Sequence, residues 1–178
     1  VKGGYVRGVV AYSYSESKTV KIEGKVVADC SGVRRVVANK MPRDWPVSEK
    51  LDLKDANIAY REVRKLKEEI PEASWIKIYL NASVAPGGYW WFFPMGSNVV
   101  NVGLGVQGGV GNRPPKTYFD KWILKRSELE GSVVLEGGGA VVPTREPLRS
   151  FVGKGLVAIG DAGYTVNPIH GGGIGSAM

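Results

Sequence analysis

GLVAIGDAGYTVNPIHGGGI, residues Gly155 to Ile174, decides how the rest of the chain is read. Leu156 to Ile159 is a short apolar run of the kind that forms a buried strand. It leads straight into Gly160-Asp161. A loop with Asn167-Pro168 comes next, then Gly171-Gly172-Gly173, and a helix is expected to open at Ile174. A carboxylate at a strand end can accept hydrogen bonds from ribityl or ribose hydroxyls. Glycines let backbone N–H groups come close to a ring or a phosphate, and a helix dipole favours negative charge at its start. Spacing alone leaves a second reading open, a glycine-rich loop that holds no ligand.

The remainder of the sequence bounds the setting. A chain of 178 residues suffices for one ordinary domain or two small ones. Hydrophobic content of 43% against 23% charged residues is that of a globular chain. Cys30 is the only cysteine, so no internal disulfide can form, which fits a reducing compartment. No run approaches the ~18 apolar residues of a membrane-spanning helix, and no signal peptide opens the chain. The expected location is cytoplasmic, with peripheral contact to a membrane. The formal charge of +7 suits an anionic membrane or a phosphate-bearing substrate. Nucleic acid is not expected as a partner, because the basic residues are scattered and no Lys/Arg block adjoins an aromatic platform.

Three short strands are expected over 5–12 and 18–28, as a β-meander turning at Glu23-Gly24-Lys25. Pro42 and Pro46 make 39–56 irregular. Residues 57–70 read ambiguously: Ile58, Val63, Leu66 and Ile70 roughly follow a helical face, whereas Ile58 and Tyr60 would suit a strand. Strands are expected at 75–80, 87–94 and 98–106, and a helix at 116–129, where Phe119, Trp122, Ile123 and Leu129 share a face. The order suggests α/β or α+β with an insertion in the middle.

GLGVQG, Gly103 to Gly108, has the letters of a dinucleotide fingerprint and comes after a strand. A true fingerprint must then open a helix that holds the pyrophosphate. The next residues, Gly109-Val110-Gly111-Asn112-Arg113-Pro114-Pro115, cannot do so there. The motif reads as strand end and hairpin loop.

GDAGYTVNPIHGGGI resembles the second flavin fingerprint of FAD enzymes of the para-hydroxybenzoate hydroxylase fold, and Asn-Pro before a glycine triplet is similar to the geranylgeranyl reductases among them. PGGYWWFFP fits that family's P-x-x-Y-x-W-x-F-P substrate-domain signature at Pro86, Tyr89, Trp91, Phe93 and Pro94. VVADCSGVRR resembles the Asp-x-Ser/Thr-Gly segment near the cofactor, a weaker match that flavin-dependent halogenases share. The resemblance implies FAD as cofactor. It gives Gly160, Asp161, Asn167, Pro168, Gly171, Gly172, Gly173 and Ile174 to the flavin, with Asp161 on the ribityl chain and the glycine triplet at the pyrimidine edge. It gives Tyr89, Trp91, Phe93 and Pro94 to an isoprenoid substrate.

The expected architecture is a split FAD-binding domain, 1–38 and 146–178, around a β-rich substrate domain, 39–145. The N-terminal βαβ unit with the true Gly-x-Gly-x-x-Gly is missing from the sequence, as is everything after the first turn of the last helix. The chain is therefore expected to be the central and later part of a longer flavoenzyme, inactive by itself.

The implied activity is hydrogenation of the geranylgeranyl double bonds of archaeal-type membrane phospholipids, with an external electron donor. Alternatives are a (bacterio)chlorophyll geranylgeranyl reductase, a quinone-coupled flavoprotein dehydrogenase and, in another class, a non-catalytic prenyl-lipid-binding module. Strand alternation sends Tyr89, Trp91 and Phe93 to one face and Trp90 and Phe92 to the other. The first three are expected to line an isoprenoid tunnel, the other two to pack inside. An isolated alkene resists hydride attack. Protonated first, it gives a tertiary cation, which aromatic faces stabilise and N5 of reduced flavin can quench. No residue is identified as the proton donor. His170, inside the glycine loop, reads as loop filler, Cys30 as a small buried residue, and no metal site is expected from one His and one Cys.

Overall fold

The computed structural model describes Val1 and residues 3–178; Lys2, within the expected segment 1–38, lies outside them. The chain divides into two compact units, Val1–Leu51 with Pro143–Met178, and Asp52–Val142.

In the first unit, β1 (Gly8–Ser13) and β2 (Lys18–Glu23) form an antiparallel hairpin, with Val9 opposite Ile22 and Ala11 opposite Val20. The third strand departs from the expected meander. β3 (Val27–Asp29) leaves the hairpin and pairs in parallel with a strand from the far end of the sequence, Leu156–Ala158. Val27 N–H donates to the Gly155 carbonyl at the start of that pairing. The unit's core includes Val6, Ala38, Val47, Leu148, Leu156, Ala158 and Tyr164. Ala38 and Val47 are fully buried there, so packing holds 39–51 in this unit, whereas the sequence reading began the inserted domain at 39.

The second unit is a five-stranded sheet. β4 (Ala56–Lys65) makes the ambiguous 57–70 segment strand as far as Lys65, where it pairs antiparallel with Val99–Gln107 along nine residue pairs. β5 is Lys77–Tyr79, β6 Trp90–Pro94, β7 Val99–Gln107 and β8 Val133–Pro143, and their order across the sheet is β5-β6-β7-β4-β8. The glycines of GLGVQG lie within and just beyond β7, as strand and not as a phosphate loop.

Alternation gives this sheet two different faces. Trp90, Phe92, Val100, Val102, Leu104 and Val106 join Phe119, Ile123 and Leu129 in one buried cluster. The covering segment is shorter in its helical part than the expected 116–129. α1 (Pro115–Tyr118) widens at once into a π-helical turn, Phe119–Ile123, closed by Leu124 N–H on the Phe119 carbonyl at 2.9 Å. That turn keeps Phe119 and Ile123 facing the sheet, and a 3-10 turn, Ser127–Leu129, adds Leu129. The strands β9 (Val152–Gly153) and β10 (Leu156–Ala158) complete the first unit's three-stranded sheet, in the order β3-β10-β9. The last helix, α2, is Ile174–Ala177.

Leu104, fully buried on the central strand β7, should be the sensitive position of the second unit. Leu104→Ala is expected to cost about 2–5 kcal/mol in urea denaturation. Val134→Thr on exposed β8 should stay within about 0.5 kcal/mol of the parent.

Candidate functional site

Parallel pairing of β3 and β10 puts Asp29 beside Ala158, and Ile159 N–H continues the ladder onto the Asp29 carbonyl at 3.1 Å. Both strands therefore end at one level, the edge where open α/β sheets bind ligands. Each then enters a short 3-10 turn, Gly32–Arg34 after β3 and Gly160–Gly163 after β10. The two turns bring two carboxylates, Asp29 and Asp161, with opposite electrostatic situations.

Asp29 is 2% exposed and fully used. Its carboxylate accepts from Ser31 N–H (3.1 Å) and Ser31 Oγ–H, and from the N–H groups of Val37 (3.0 Å) and Ala38 (2.7 Å). Burial opposes its ionisation, but these four hydrogen bonds outweigh burial and hold its carboxyl below its ordinary value. The DCSG stretch thus shapes its own loop, and its aspartate has no capacity left for a ligand; Cys30, expected to be buried, is exposed, because its neighbour Asp29 takes the inward position.

Asp161 is half-buried, and its carboxylate accepts no hydrogen bond and forms no ion pair among the described residues; burial alone pushes its carboxyl up. The chain around it is shaped by positions without side chains. Gly160 sits at φ +64°, and a Cβ there would lie 3.1 Å from Ala177 Cβ. A Cβ on Gly173 would lie 3.0 Å from Asp161 Oδ1 and 3.3 Å from Val166 Cγ2. The carboxylate is therefore approachable because residue 173 is glycine. Such a carboxylate suits a ligand hydroxyl that would donate to it.

The rest of the glycine loop folds on itself. Asn167 N–H donates to the Gly172 carbonyl (3.0 Å), Gly171 N–H to the Asn167 carbonyl (2.9 Å), and Ile169 N–H to Asn167 Oδ1 (2.9 Å). His170 Nδ1 accepts from Gly172 N–H at 3.1 Å. Asp161 and Gly173 are thus brought together, and Asn167 with Gly171 and Gly172. Pro168 and Ile174 are exposed on the outside, Ile174 at 83%.

Sequence reasoning missed the group that fixes this turn. Arg35 is 1% exposed, in the left-handed region at φ +48°, and has no carboxylate partner among the described residues. Its guanidinium donates to the carbonyls of Val47 and Glu49 and to the Tyr164 hydroxyl, and lies 4.3 Å from the Tyr164 ring centre. Tyr164 is fully buried, at φ +60°, and its hydroxyl donates to the Glu49 carbonyl at 3.0 Å. Arg145 lies 5.0 Å from the same ring and pairs with Glu49 at 2.5 Å. Nothing in the letters Arg34-Arg35 says which of the two is buried.

In the second unit, Trp90 and Phe92 point into the core, as alternation requires, and Tyr89, Trp91 and Phe93 lie half-buried on the opposite face. The Trp91 ring lies 6.0 Å from both Tyr89 and Phe93, and its indole N–H donates to Asn101 Oδ1 at 3.0 Å. Pro94 closes β6 opposite Val100. Trp90 and Phe92 do more than pack: with Leu66, Ile70 and Tyr79 they wall a cavity of about 610 Å³. That cavity lies on the core side, away from Tyr89, Trp91 and Phe93.

The family described as geranylgeranyl reductase catalytic domain matches residues 55–142. The digeranylgeranylglycerophospholipid reductase of Sulfolobus acidocaldarius is 45% identical over 176 residues, which are 98% of this chain and 39% of that protein. The enzyme of the same name from Methanosphaerula palustris is 33% identical, over all of this chain and 43% of its own length. This chain thus spans about two fifths of the length of these relatives. Among solved structures, a geranylgeranyl bacteriochlorophyll reductase-like protein from Thermoplasma acidophilum superposes with a TM-score of 0.85 at 26% identity, over 99% of this chain and 43% of that one. The flavin-dependent brominase Bmp2 shares the fold, with a TM-score of 0.66 at 17% identity over 99% of this chain and 45% of its own.

The two carboxylates predict opposite responses. The folded carboxyl of Asp29 titrates low, so its contribution is present above the ordinary carboxylate range and is lost as pH falls through the folded value. Asp161 titrates high, so its contribution is complete below that range and is lost as pH rises through the folded value. Asp29→Asn should cost about 1–3 kcal/mol at neutral pH and flatten the fall of stability below about pH 4. Asp161→Asn should keep or raise stability at neutral pH. Urea midpoints measured from acid to neutral pH check both; an Asp161→Asn protein less stable than Asp29→Asn at neutral pH would contradict the assignment.

Proposed function

Because the chain belongs to the geranylgeranyl reductase family, we propose that it is a stretch of an FAD-dependent oxidoreductase that hydrogenates geranylgeranyl double bonds of isoprenoid membrane phospholipids. The observation that carries the flavin part is Asp161, a carboxylate with no hydrogen-bonding partner among the described residues, at the end of β10 and beside Gly173. Those residues fit a polyhydroxylated chain: Asp161 would accept from a ribityl hydroxyl, and Gly171 to Gly173 would border the ring. Gly160, Asn167, Pro168 and Ile174 complete the loop that carries them. The bound flavin, once reduced by an external donor, would supply hydride.

The phospholipid part rests on the relatives, whose names specify digeranylgeranylglycerophospholipid. The aromatic face Tyr89, Trp91 and Phe93, ending at Pro94, lies within the matched stretch and would receive the prenyl chain. These ring faces supply no charge of their own. They lower the energy of a cation at a protonated alkene by about 0.5–2 kcal/mol each. The formal charge of +7 suits a phosphate headgroup and peripheral contact with an anionic bilayer from the cytoplasmic side. Among the described residues no helix is long and apolar enough to cross a membrane.

The test uses the full-length protein, loaded with FAD, reduced chemically and given the unsaturated phospholipid. Each reduced double bond should add two hydrogens to the lipid mass. Trp91→Leu should lower kcat about 2- to 30-fold, the rate equivalent of one cation–ring contact. A Trp91→Leu enzyme with unchanged kcat and a raised KM would assign the ring to binding alone.

A further inference from the structure

Three residues of β7 alternate onto the aromatic face: Asn101 opposite Phe93, Gly103 opposite Trp91, and Gly105 beside Tyr89, whose carbonyl accepts Gly105 N–H at 2.9 Å. Their composition is unusual for the central strand of a five-stranded sheet, because glycine and asparagine both disfavour such positions. The same strand places Val100, Val102, Leu104 and Val106 in the core, so its other face obeys the ordinary rule.

Gly103 has a definite packing reason. A Cβ there would lie 2.5 Å from Trp91 Cζ2, 2.6 Å from Arg61 Cβ and 2.6 Å from the Tyr60 carbonyl oxygen. The indole therefore leans across β7 into space that any side chain would fill. Asn101, two residues earlier on the same face, meets the only polar atom of that indole: Oδ1 accepts the Nε1 hydrogen at 3.0 Å. The helical segment with Phe119 and Ile123 packs on the opposite face, where it holds Trp90 in the core, and Trp91 is outside that cluster. A glycine that lets the ring lie down and an acceptor that fixes its edge together define one ring orientation.

We propose that Asn101 and Gly103 are positioning residues that set the plane of the Trp91 ring against the prenyl chain. The inference rests on the proposed role of the Tyr89–Trp91–Phe93 face and adds residues outside the aromatic signature. Asn101 acts through Trp91 and touches no reacting atom. It explains why letters that imitate a nucleotide fingerprint occur in a strand: the glycine at 103 makes room for an indole and not for a phosphate.

The experiment compares full-length, FAD-loaded Asn101→Leu, Asn101→Asp and Gly103→Ala enzymes with the wild type, with rates normalised to bound flavin. Asn101→Leu removes the acceptor, and Gly103→Ala should lift the ring. Both should lower kcat several-fold, leave KM within about twofold and enrich partly reduced lipids among the products. Asn101→Asp still accepts the indole hydrogen and should recover most of kcat. A merely structural role would reduce the yield of loaded enzyme without changing kcat per flavin or the product pattern, and that result would overturn the proposal.

A second readout does not depend on activity. In wild-type protein labelled with 15N-tryptophan, the Trp91 indole N–H, assigned by its loss in Trp91→Phe, should exchange slowly with solvent and quickly in Asn101→Leu. Fast exchange in the wild type would overturn the proposal even if every variant failed to load flavin. If wild-type enzyme reduces no prenyl double bond while this signal is protected, the ring is positioned as described and the reductase reading is what fails.

Discussion

A buried arginine with no acid partner among the described residues holds the first unit together. The Arg35 guanidinium binds the carbonyls of Val47 and Glu49 and the hydroxyl of Tyr164, a residue 129 positions away in sequence. Carbonyl and phenol oxygens replace the water that Nη1 and Nη2 have lost, and the flat cation lies against the Tyr164 ring. Removing one of these acceptors leaves part of a buried cation unpaired, a loss of about 1.5–3 kcal/mol for a hydrogen bond to a charged group. Tyr164 comes directly after the Gly160–Gly163 turn, so the clamp also fixes the peptide that carries Asp161. These bonds hold the loop, and the loop's own carboxylate is left without a partner among the described residues.

That division of labour is visible in the two aspartates. Both stand just at or after the end of a parallel strand, Asp29 buried and Asp161 half-buried. One is saturated by its own loop and stabilises the fold. The other meets no partner among the described residues and is raised by burial, which is a cost to the fold that a bound ligand can offset.

Much of this was legible in the sequence, and the rest escaped it for definite physical causes. Alternation in YWWFFP and NVVNVGLGV marks β6 and β7 because one face of the sheet is buried by a helical segment. The strand Leu156–Ala158 and the glycine turn after it could be read because small and apolar residues have few other uses in that order. The meander could not be corrected from sequence. β3 finds its partner more than a hundred residues away, and no local pattern says whether a three-residue strand continues a hairpin or leaves it. The expected helix over 116–129 ran too long because a π turn and a 3-10 turn keep Phe119, Ile123 and Leu129 inward as a helix would, while Trp122, expected on that face, is exposed. Arg35 and Asn101 escaped notice for a shared reason. Each matters for a hydrogen bond across strands or loops, and composition carries no record of such bonds.

The proposed flavin site requires that Asp161 be left open for a donor hydroxyl by the Arg35–Tyr164 clamp and by Gly173. The decisive measurement is a crystal structure of the full-length protein with FAD bound. A ribityl hydroxyl is expected within hydrogen-bond distance of the Asp161 carboxylate, with Arg35 still on Tyr164. A flavin that lies elsewhere, or an Asp161 carboxylate engaged by the protein's own groups while flavin is bound, would contradict it.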